Sequence, residues 1–414
     1  MSIWIEASGW WCYHNYIMKS LLVFPAQWYP TQPYLSTPYL CSYLREKNWD
    51  VTQRDFNMES YDHFLSPNSL EKIVSKMEDR QTILKSKKSF SFKEKSLMDV
   101  LATGIKFAPT IISEVNDAKQ VMRTPERFFD FKAYKQADMI IKSALKLVSD
   151  AFSPSILTLS TFESGIRAEE STQRTTEFAR SSDVNPFIDL YENVLLPSES
   201  WKNYNLVGIS IVGISQILPG LTLARMLKEK YPHLHITLGG PIFSVNSKQL
   251  MGHPEFFQEF CDSIVTFEGE EPLHRLLTTL KNGSTLKNVP NLLFYENGKI
   301  EHNKERVELR FEEMPPPTFD GLPMNLYLSP YPILPVLQSR GCYWGKCTFC
   351  THSFIYGHRY GKQRTEQMVD ELENLARKYK TKYFTFSDEA VSPHSLNDVS
   401  EEIIKRDVDI KSLA

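Results

Sequence analysis

Regular patterning of apolar and polar positions begins at Met18. Leu21-Leu-Val-Phe24 reads as a short buried strand, followed by a Pro-rich loop, Pro25-Ala-Gln-Trp-Tyr-Pro30. A helix near Pro38 to Glu46 and a strand over Val51 to Phe56 come next. The pattern then changes. From Ser69 to about Asp150 the chain is rich in Lys and Glu, and its apolar positions recur at helical spacing, as in Ala133, Ala137, Ile140, Ala144, Leu147 and Val148. With Gly104 as its single glycine, this stretch predicts a helical insertion spanning about residues 65–165. It carries no chemical motif, and its charge runs read as solvated faces.

Short apolar runs resume at Leu206-Val-Gly-Ile-Ser-Ile-Val212, the unbroken kind expected of a strand covered on both faces. A helix over Pro219 to Lys230, a strand over His235 to Leu238 and the turn Gly239-Gly-Pro241 follow. Ser263 to Phe267 reads as another strand, running into Glu268-Gly-Glu-Glu-Pro-Leu273 and a further helix. Asn297-Gly298 between two apolar runs signals a hairpin. Phe311 to Pro332, with six prolines, predicts a stiff irregular connector between two domains. Beyond it come a strand over Ile333 to Leu337 and a helix from a capping Thr365 to about Lys380. An aromatic strand, Tyr383 to Glu389, a helix over Ser395 to Arg406 and the start of a third strand complete the pattern. Alternating strands and helices make the fold class α/β. Ligands of open parallel sheets sit at the carboxyl ends of strands, which singles out Ser210 to Gln216, Gly239, Gly240 and Glu268-Gly269-Glu-Glu271. The glycines either admit a ligand close to the backbone or serve a tight turn.

Composition adds bounds. At 414 residues, two or three domains are expected. A net charge of −3 implies no nucleic-acid or anionic-membrane surface. Six scattered or clustered cysteines do not form a disulfide framework and point to a reducing, cytoplasmic setting. Cys41 and Cys261 lie in apolar surroundings and read as buried packing. No stretch approaches the ~18 apolar residues of a membrane span. Residues 1–17 lack Lys and Arg and have no signal-peptide layout, so they read as an extension ahead of a better start at Met18.

The chemistry is concentrated in Gln338-Ser-Arg-Gly-Cys-Tyr-Trp-Gly-Lys-Cys-Thr-Phe-Cys350, on a loop after a strand. Cys342, Cys347 and Cys350 are three thiolates close enough in sequence to close on one metal centre, and a cube held by three leaves one iron open. A zinc site completed by His352 or His358 is the alternative from spacing. The run resembles the radical S-adenosylmethionine superfamily, whose signature is Cys-x3-Cys-x2-Cys. Here the first gap holds four residues, a variant of that pattern. The resemblance implies a 4Fe-4S cluster on the three cysteines and a βα barrel. It also implies S-adenosylmethionine near the aromatic Phe349, with Ser387, Asp388 and Glu389 at the end of the second barrel strand facing its amino group. A βαβ unit takes about 30 residues, so Val336 to Ala414 holds about two to three units, and the chain reads as truncated within the barrel.

Directly ahead of such a motif, the α/β region of residues 18–310 resembles the Rossmann-like cobalamin-binding domain of the superfamily's cobalamin-dependent branch. The Gly-Gly after a strand and the Glu-Gly-Glu-x-Pro run carry that resemblance, which covers Met18 to about Phe56 and Leu206 to Ala414. No Asp-x-His-x-x-Gly signature follows the first strand, so cobalamin would be held without an imidazole on cobalt. The implied layout is a cobalamin-type domain (18–310), a Pro-rich linker (311–332) and a partial barrel (333–414). The implied partners are an electron donor such as flavodoxin or ferredoxin and a substrate, with peptide modification or methyl transfer as the reaction. Two other classes stay open: a zinc-stabilised α/β binding module without catalysis, and a cobalamin-binding sensory protein with an inert barrel remnant.

Overall fold

The computed structural model describes residues 18–307, 309–357 and 359–413. The expected extension over residues 1–17, with Cys12, and the candidate zinc ligand His358 lie outside them.

Two parallel strands open the fold: β1 (Lys19–Phe24) and β2 (Asp50–Asp55), joined by the helix Ser36–Glu46. The second strand ends one residue before the expected Phe56, because Asp55 accepts the Met58 N–H and caps a helix starting at Phe56. The helical segment is longer than the predicted 65–165, filling the whole interval between β2 and residue 206. Its main helices are Pro67–Lys85, Phe92–Arg123 and Phe131–Ala151, started by Ser66, by a Ser91/Glu94 capping box and by Asp130. A two-stranded ribbon, β3 (Ile156–Leu157) and β4 (Phe162–Glu163), and the helix Thr172–Arg180 lead back to the sheet.

There β5 (Leu206–Ser210), β6 (His235–Gly239) and β7 (Ser263–Val265) extend the parallel sheet, and β8 (Leu292–Glu296) with β9 (Lys299–His302) adds an antiparallel edge. The strand order is β2-β1-β5-β6-β7-β8-β9. Asn297 and Gly298 both have positive φ, as the predicted tight hairpin turn requires. Because β1 connects to β2 on one side and pairs with β5 on the other, the strand order reverses there and leaves a crevice at the carboxyl ends of β1 and β5.

The Pro-rich stretch packs against the sheet domain along its length. Its carbonyls accept from side chains of the sheet domain, Gln53 Nε2 to Thr318 (2.7 Å) and Asp320 (3.1 Å) and Ser42 Oγ to Pro316 (2.6 Å). Phe311, Phe319 and Tyr327 are buried, and the Tyr327 hydroxyl donates to the buried Asp55. Proline removes backbone donors, and the donors that remain are used as well, Thr318 N–H on Pro38 O (3.3 Å) and Leu328 N–H on Pro30 O (2.8 Å).

A second parallel sheet follows, β10 (Ile333–Val336), β13 (Tyr383–Phe386) and β14 (Lys411–Leu413), with helices Thr365–Tyr379 and Pro393–Lys405 as crossovers. Between β10 and β13 lies an antiparallel ribbon, β11 (Ser339–Gly341) with β12 (Tyr360–Lys362). Thr365 is the first helical residue rather than a side-chain cap.

One buried carboxyl in this region predicts a pH effect. Glu371 is 3% exposed, accepts from Gln363 Nε2 at 3.0 Å, and burial pushes its pKa up to about 7. A raised carboxyl favours the folded state only while protonated, so stability should fall as pH rises from the ordinary carboxylate range through about 7. Asp55, raised by burial to about 6, adds to the same slope. The Glu371 contribution amounts to about 3 kcal/mol at most. Urea midpoints measured from about pH 5 to pH 8.5 should decline in the native chain and decline less in Glu371→Gln. An unchanged slope in that variant would refute the assignment.

Candidate functional site

The described residues singled out as strand-end ligand contacts lie at a carboxyl edge of one of the two parallel sheets, and the cysteines lie on the loop after the β11 ribbon. Ser210 pairs in register with Gly239, and Gly239 with Val265, so the ends of β5, β6 and β7 lie side by side. Their roles there differ from one another. Gly240 has φ +125°, and a Cβ on it would fall 1.9 Å from the Ile211 carbonyl oxygen. That is the tight-turn reading: backbone of the neighbouring loop fills the space. A Cβ on Gly239 would meet only the Val265 carbonyl at 3.8 Å, so the room there is real. Gln216 is fully buried, and its amide is already used: Oε1 accepts from Val212 N–H (3.0 Å) and Gly213 N–H (3.2 Å), and Nε2 donates to Pro25 O (2.8 Å). It fastens the loop after β5 to the loop after β1. Ser210 is buried at the strand end.

The Glu-Gly-Glu run also turns out differently from an open cradle. Glu268 and Glu270 side chains are 9% and 4% exposed, and both face Arg340, two residues before Cys342. Arg340 Nη2 lies 2.6 Å from Glu270 and Nη1 3.6 Å from Glu268, while Arg359 Nη2 reaches Glu268 at 2.8 Å. The Arg340 guanidinium sits 5.1 Å from the Tyr39 and Phe311 ring centres. Burial works against its charge, but Glu270 and then Glu268 offset it, holding the pKa above the ordinary arginine value. Burial and the neighbouring Glu270 raise Glu268, and the two guanidinium groups oppose that shift. Gly269 passes beneath Leu40, where a Cβ would lie 3.2 Å from its side chain.

The two domains meet at three further points beside the cysteine loop. Arg306 donates to the Phe354 and Ile355 carbonyls and covers the Phe267 ring, which packs edge-on to Phe354. Thr385 Oγ1 donates to Gln32 Oε1 at 3.1 Å, joining β13 to the loop after β1. The carboxyl edges of both sheets therefore face one region.

Within the loop, Cys342 and Cys350 are half-buried, Cys347 is exposed, and all three are free thiols. Gly341 has φ +82°, and a Cβ there would strike the Arg359 carbonyl at 2.1 Å, so the ribbon that bounds the loop needs glycine at this point. The Gly345 N–H points at Cys342 Sγ (3.5 Å). Among the described residues, no three Cys, His, Asp or Glu side chains gather closely enough to hold a metal ion. The donor set nonetheless suits an iron–sulfur cube: three thiolates on one loop, glycines around them and a backbone N–H aimed at sulfur. Phe349 is 87% exposed.

At the end of β13, Ser387 continues the sheet by donating its N–H to Val336 O (2.9 Å). Asp388 is occupied: it accepts from Gln338 N–H (3.1 Å), Ser339 N–H (2.6 Å) and the Ser339 hydroxyl. Burial raises its pKa and these bonds oppose the rise. Asp388 thus shapes the turn into the cysteine ribbon. Glu389 is the available carboxylate, with the Tyr356 hydroxyl at 3.2 Å and His352 Nδ1 at 3.5 Å. His352, one of the two zinc candidates from spacing, is directed to this carboxylate and stacks on Tyr356.

No protein-family model matches the chain. Among curated proteins it is 29% identical to an uncharacterized methyltransferase of Pyrococcus horikoshii over 213 residues, 50% of this chain and 44% of that protein. It is 25% identical to the hopanoid C-3 methylase of Methylococcus capsulatus over 219 residues, 50% of this chain and 38% of that protein. Among solved structures, the cobalamin-dependent S-adenosylmethionine radical enzyme OxsB, with aqua-cobalamin and S-adenosylmethionine bound, matches with a TM-score of 0.53 at 16% identity. The chain resembles the cobalamin-dependent radical S-adenosylmethionine enzymes. The OxsB match covers 97% of this chain and 39% of OxsB, so it takes in the helical segment that the motif-based resemblance left out. The chain spans less than half the length of these relatives.

Sequence reasoning did not assign Arg340, Arg359, Glu270 or Gln363 individual roles. The signal for Arg340 was its place in the Ser-Arg-Gly lead-in, but nothing local names its partners some seventy residues upstream. The ribbon β3–β4 was missed as well. It closes one side of a cavity of about 150 Å³ at the end of β5, lined by Thr161, Phe162, Glu163, Glu169, Ile214, Ser215 and Leu218.

Proposed function

We propose that this chain is the cofactor-holding part of a cobalamin-dependent radical S-adenosylmethionine methyltransferase. The observation that carries the reading is the Arg340–Glu270/Glu268 contact, which holds the cysteine loop against the carboxyl edge of the Rossmann-like sheet. Cofactors seated on the two edges would then share one chamber. Cys342, Cys347 and Cys350 would hold a 4Fe-4S cluster, Glu389 would receive the S-adenosylmethionine amino group, and the ends of β5 to β7 would take cobalamin. Bound there, the cluster with S-adenosylmethionine supplies a 5′-deoxyadenosyl radical, and cobalamin supplies a methyl group. The loops Pro25–Leu35, Ile211–Gln216 and Thr266–Gly269 contain no histidine, which suits cobalamin held without an imidazole.

The chain's own groups do the positioning. Asp388 ties the end of β13 to the start of the cysteine ribbon, Gln216 fixes the loop opposite, and Tyr356 and His352 orient Glu389. An electron donor of the flavodoxin or ferredoxin type and a substrate, with a peptide as one class, complete the reaction. No helix among the described residues is long and apolar enough to cross a membrane.

The test is binding by the whole chain. Hydroxocobalamin should bind in a base-off state, with no imidazole nitrogen splitting in the reduced cobalt spectrum, and Gly239→Phe should weaken it because the Cβ direction there is open. Gly240 is unsuited to this test, since any side chain there collides with Ile211. Failure of the chain to bind cobalamin would remove this domain from the mechanism.

A further inference from the structure

We infer that the tip of the helical segment docks on an anionic membrane surface. The two helices Pro67–Lys85 and Phe92–Arg123 run antiparallel as a hairpin, and the helix Phe131–Ala151 packs along them. That third helix ends level with Gly104, whose Cβ position lies 3.2 Å from Leu147 and 3.6 Å from Asp150. Arg80 bonds the Ala151 and Ser153 carbonyls at the end of that helix and Leu101 is still fully buried, so the first turns of Phe92–Arg123 run on past it as a finger about 12 Å long.

The finger ends in Lys85-Ser-Lys-Lys-Ser-Phe-Ser-Phe-Lys-Glu-Lys95. Five lysines stand there against the single acid Glu94, and that acid is tied to Lys87 and to Ser91 in the capping box. The apolar side chains of the tip face outward: Phe92 is 89% exposed, Ile83 62% and Phe90 44%. Leaving these rings in water is unfavourable, and here they stand among charged groups on a projecting end rather than in a groove. The net charge of −3 averages this local excess away, which is why the chain total gave no sign of it.

The chemistry selects lipid over other polyanions. Rings at a convex tip enter the headgroup–acyl boundary, while lysine stems let the ammonium groups reach the phosphates above it. Four net positive charges within one Debye length respond to the diffuse field of an anionic leaflet. Single strands of nucleic acid also suit lysine and phenylalanine, but they call for a charged groove that tracks the backbone, and these residues stand on a projecting convex tip. The inference stands apart from the cofactor reading, since no residue of the finger belongs to the site.

The test is flotation of the full chain with vesicles of phosphatidylcholine alone and of phosphatidylcholine with phosphatidylserine. Binding is expected only to the second, falling as salt is raised. The variant Lys88→Glu/Lys93→Glu/Lys95→Glu should lose at least about tenfold in affinity, and Phe90→Ser/Phe92→Ser should lose the salt-resistant part. Both variants alter exposed positions, and unchanged urea midpoints will confirm that they fold. Equal binding to both vesicle types, undiminished binding by the charge-reversed variant, or capture of single-stranded RNA with no vesicle binding would each overturn the inference.

Discussion

Anaerobic reconstitution with iron and sulfide should load about four irons per chain, and replacing Cys342, Cys347 and Cys350 together by Ala should abolish loading. This is the largest effect expected anywhere in the molecule, because no other described group can substitute. The three thiols are free and lie on one loop. Cys41 is a different case: it is fully buried against Val51, and burial pushes its pKa up to about 11. A thiol that resists ionisation is a poor ligand, so Cys41→Ala should load iron normally. Stoichiometric zinc with no iron would instead favour the zinc-stabilised module.

The second large effect belongs to Arg340→Leu. The guanidinium faces Glu268 and Glu270 in a region where both carboxylates are almost fully covered. Removing it leaves Glu270 with no cation in contact and Glu268 with Arg359 alone among the ion pairs described. Uncompensated buried charge of this kind costs about 3–5 kcal/mol. The isosteric triple variant Arg340→Leu/Glu268→Gln/Glu270→Gln should recover much of that loss, because no stranded charge remains. Urea denaturation measures both. A single-variant loss under about 1 kcal/mol would mean that solvent reaches the pair. Iron loading separates the two consequences: if the contact positions the cysteine loop, the triple variant should regain stability yet load iron more slowly than the native chain.

The strands at Leu21–Phe24, Leu206–Ser210, His235–Gly239 and Ile333–Val336 were legible because unbroken apolar runs bounded by turn residues are a local property. So were the Asn297-Gly298 hairpin, the helices around Ala133–Val148 and Thr365–Tyr379, and a cysteine spacing that fits within one loop. Each rests on residues within about one turn or one loop of each other. Nothing local separates Asp388 from Glu389, two adjacent acids at a strand end. The fold gave Asp388 to the Gln338 and Ser339 amides 50 and 49 positions away, and left Glu389 beside Tyr356 and His352. Gln216 is bonded to Pro25, 191 positions upstream, and Glu268 and Glu270 face Arg340, contacts that no local pattern shows. The Pro-rich stretch read as a stiff connector because its prolines are visible in sequence, while the side chains that grip its carbonyls are not. Local pattern sets which elements form. Which polar group is already spent on a neighbour depends on contacts between distant segments, and these exist only once the sheets have closed on each other.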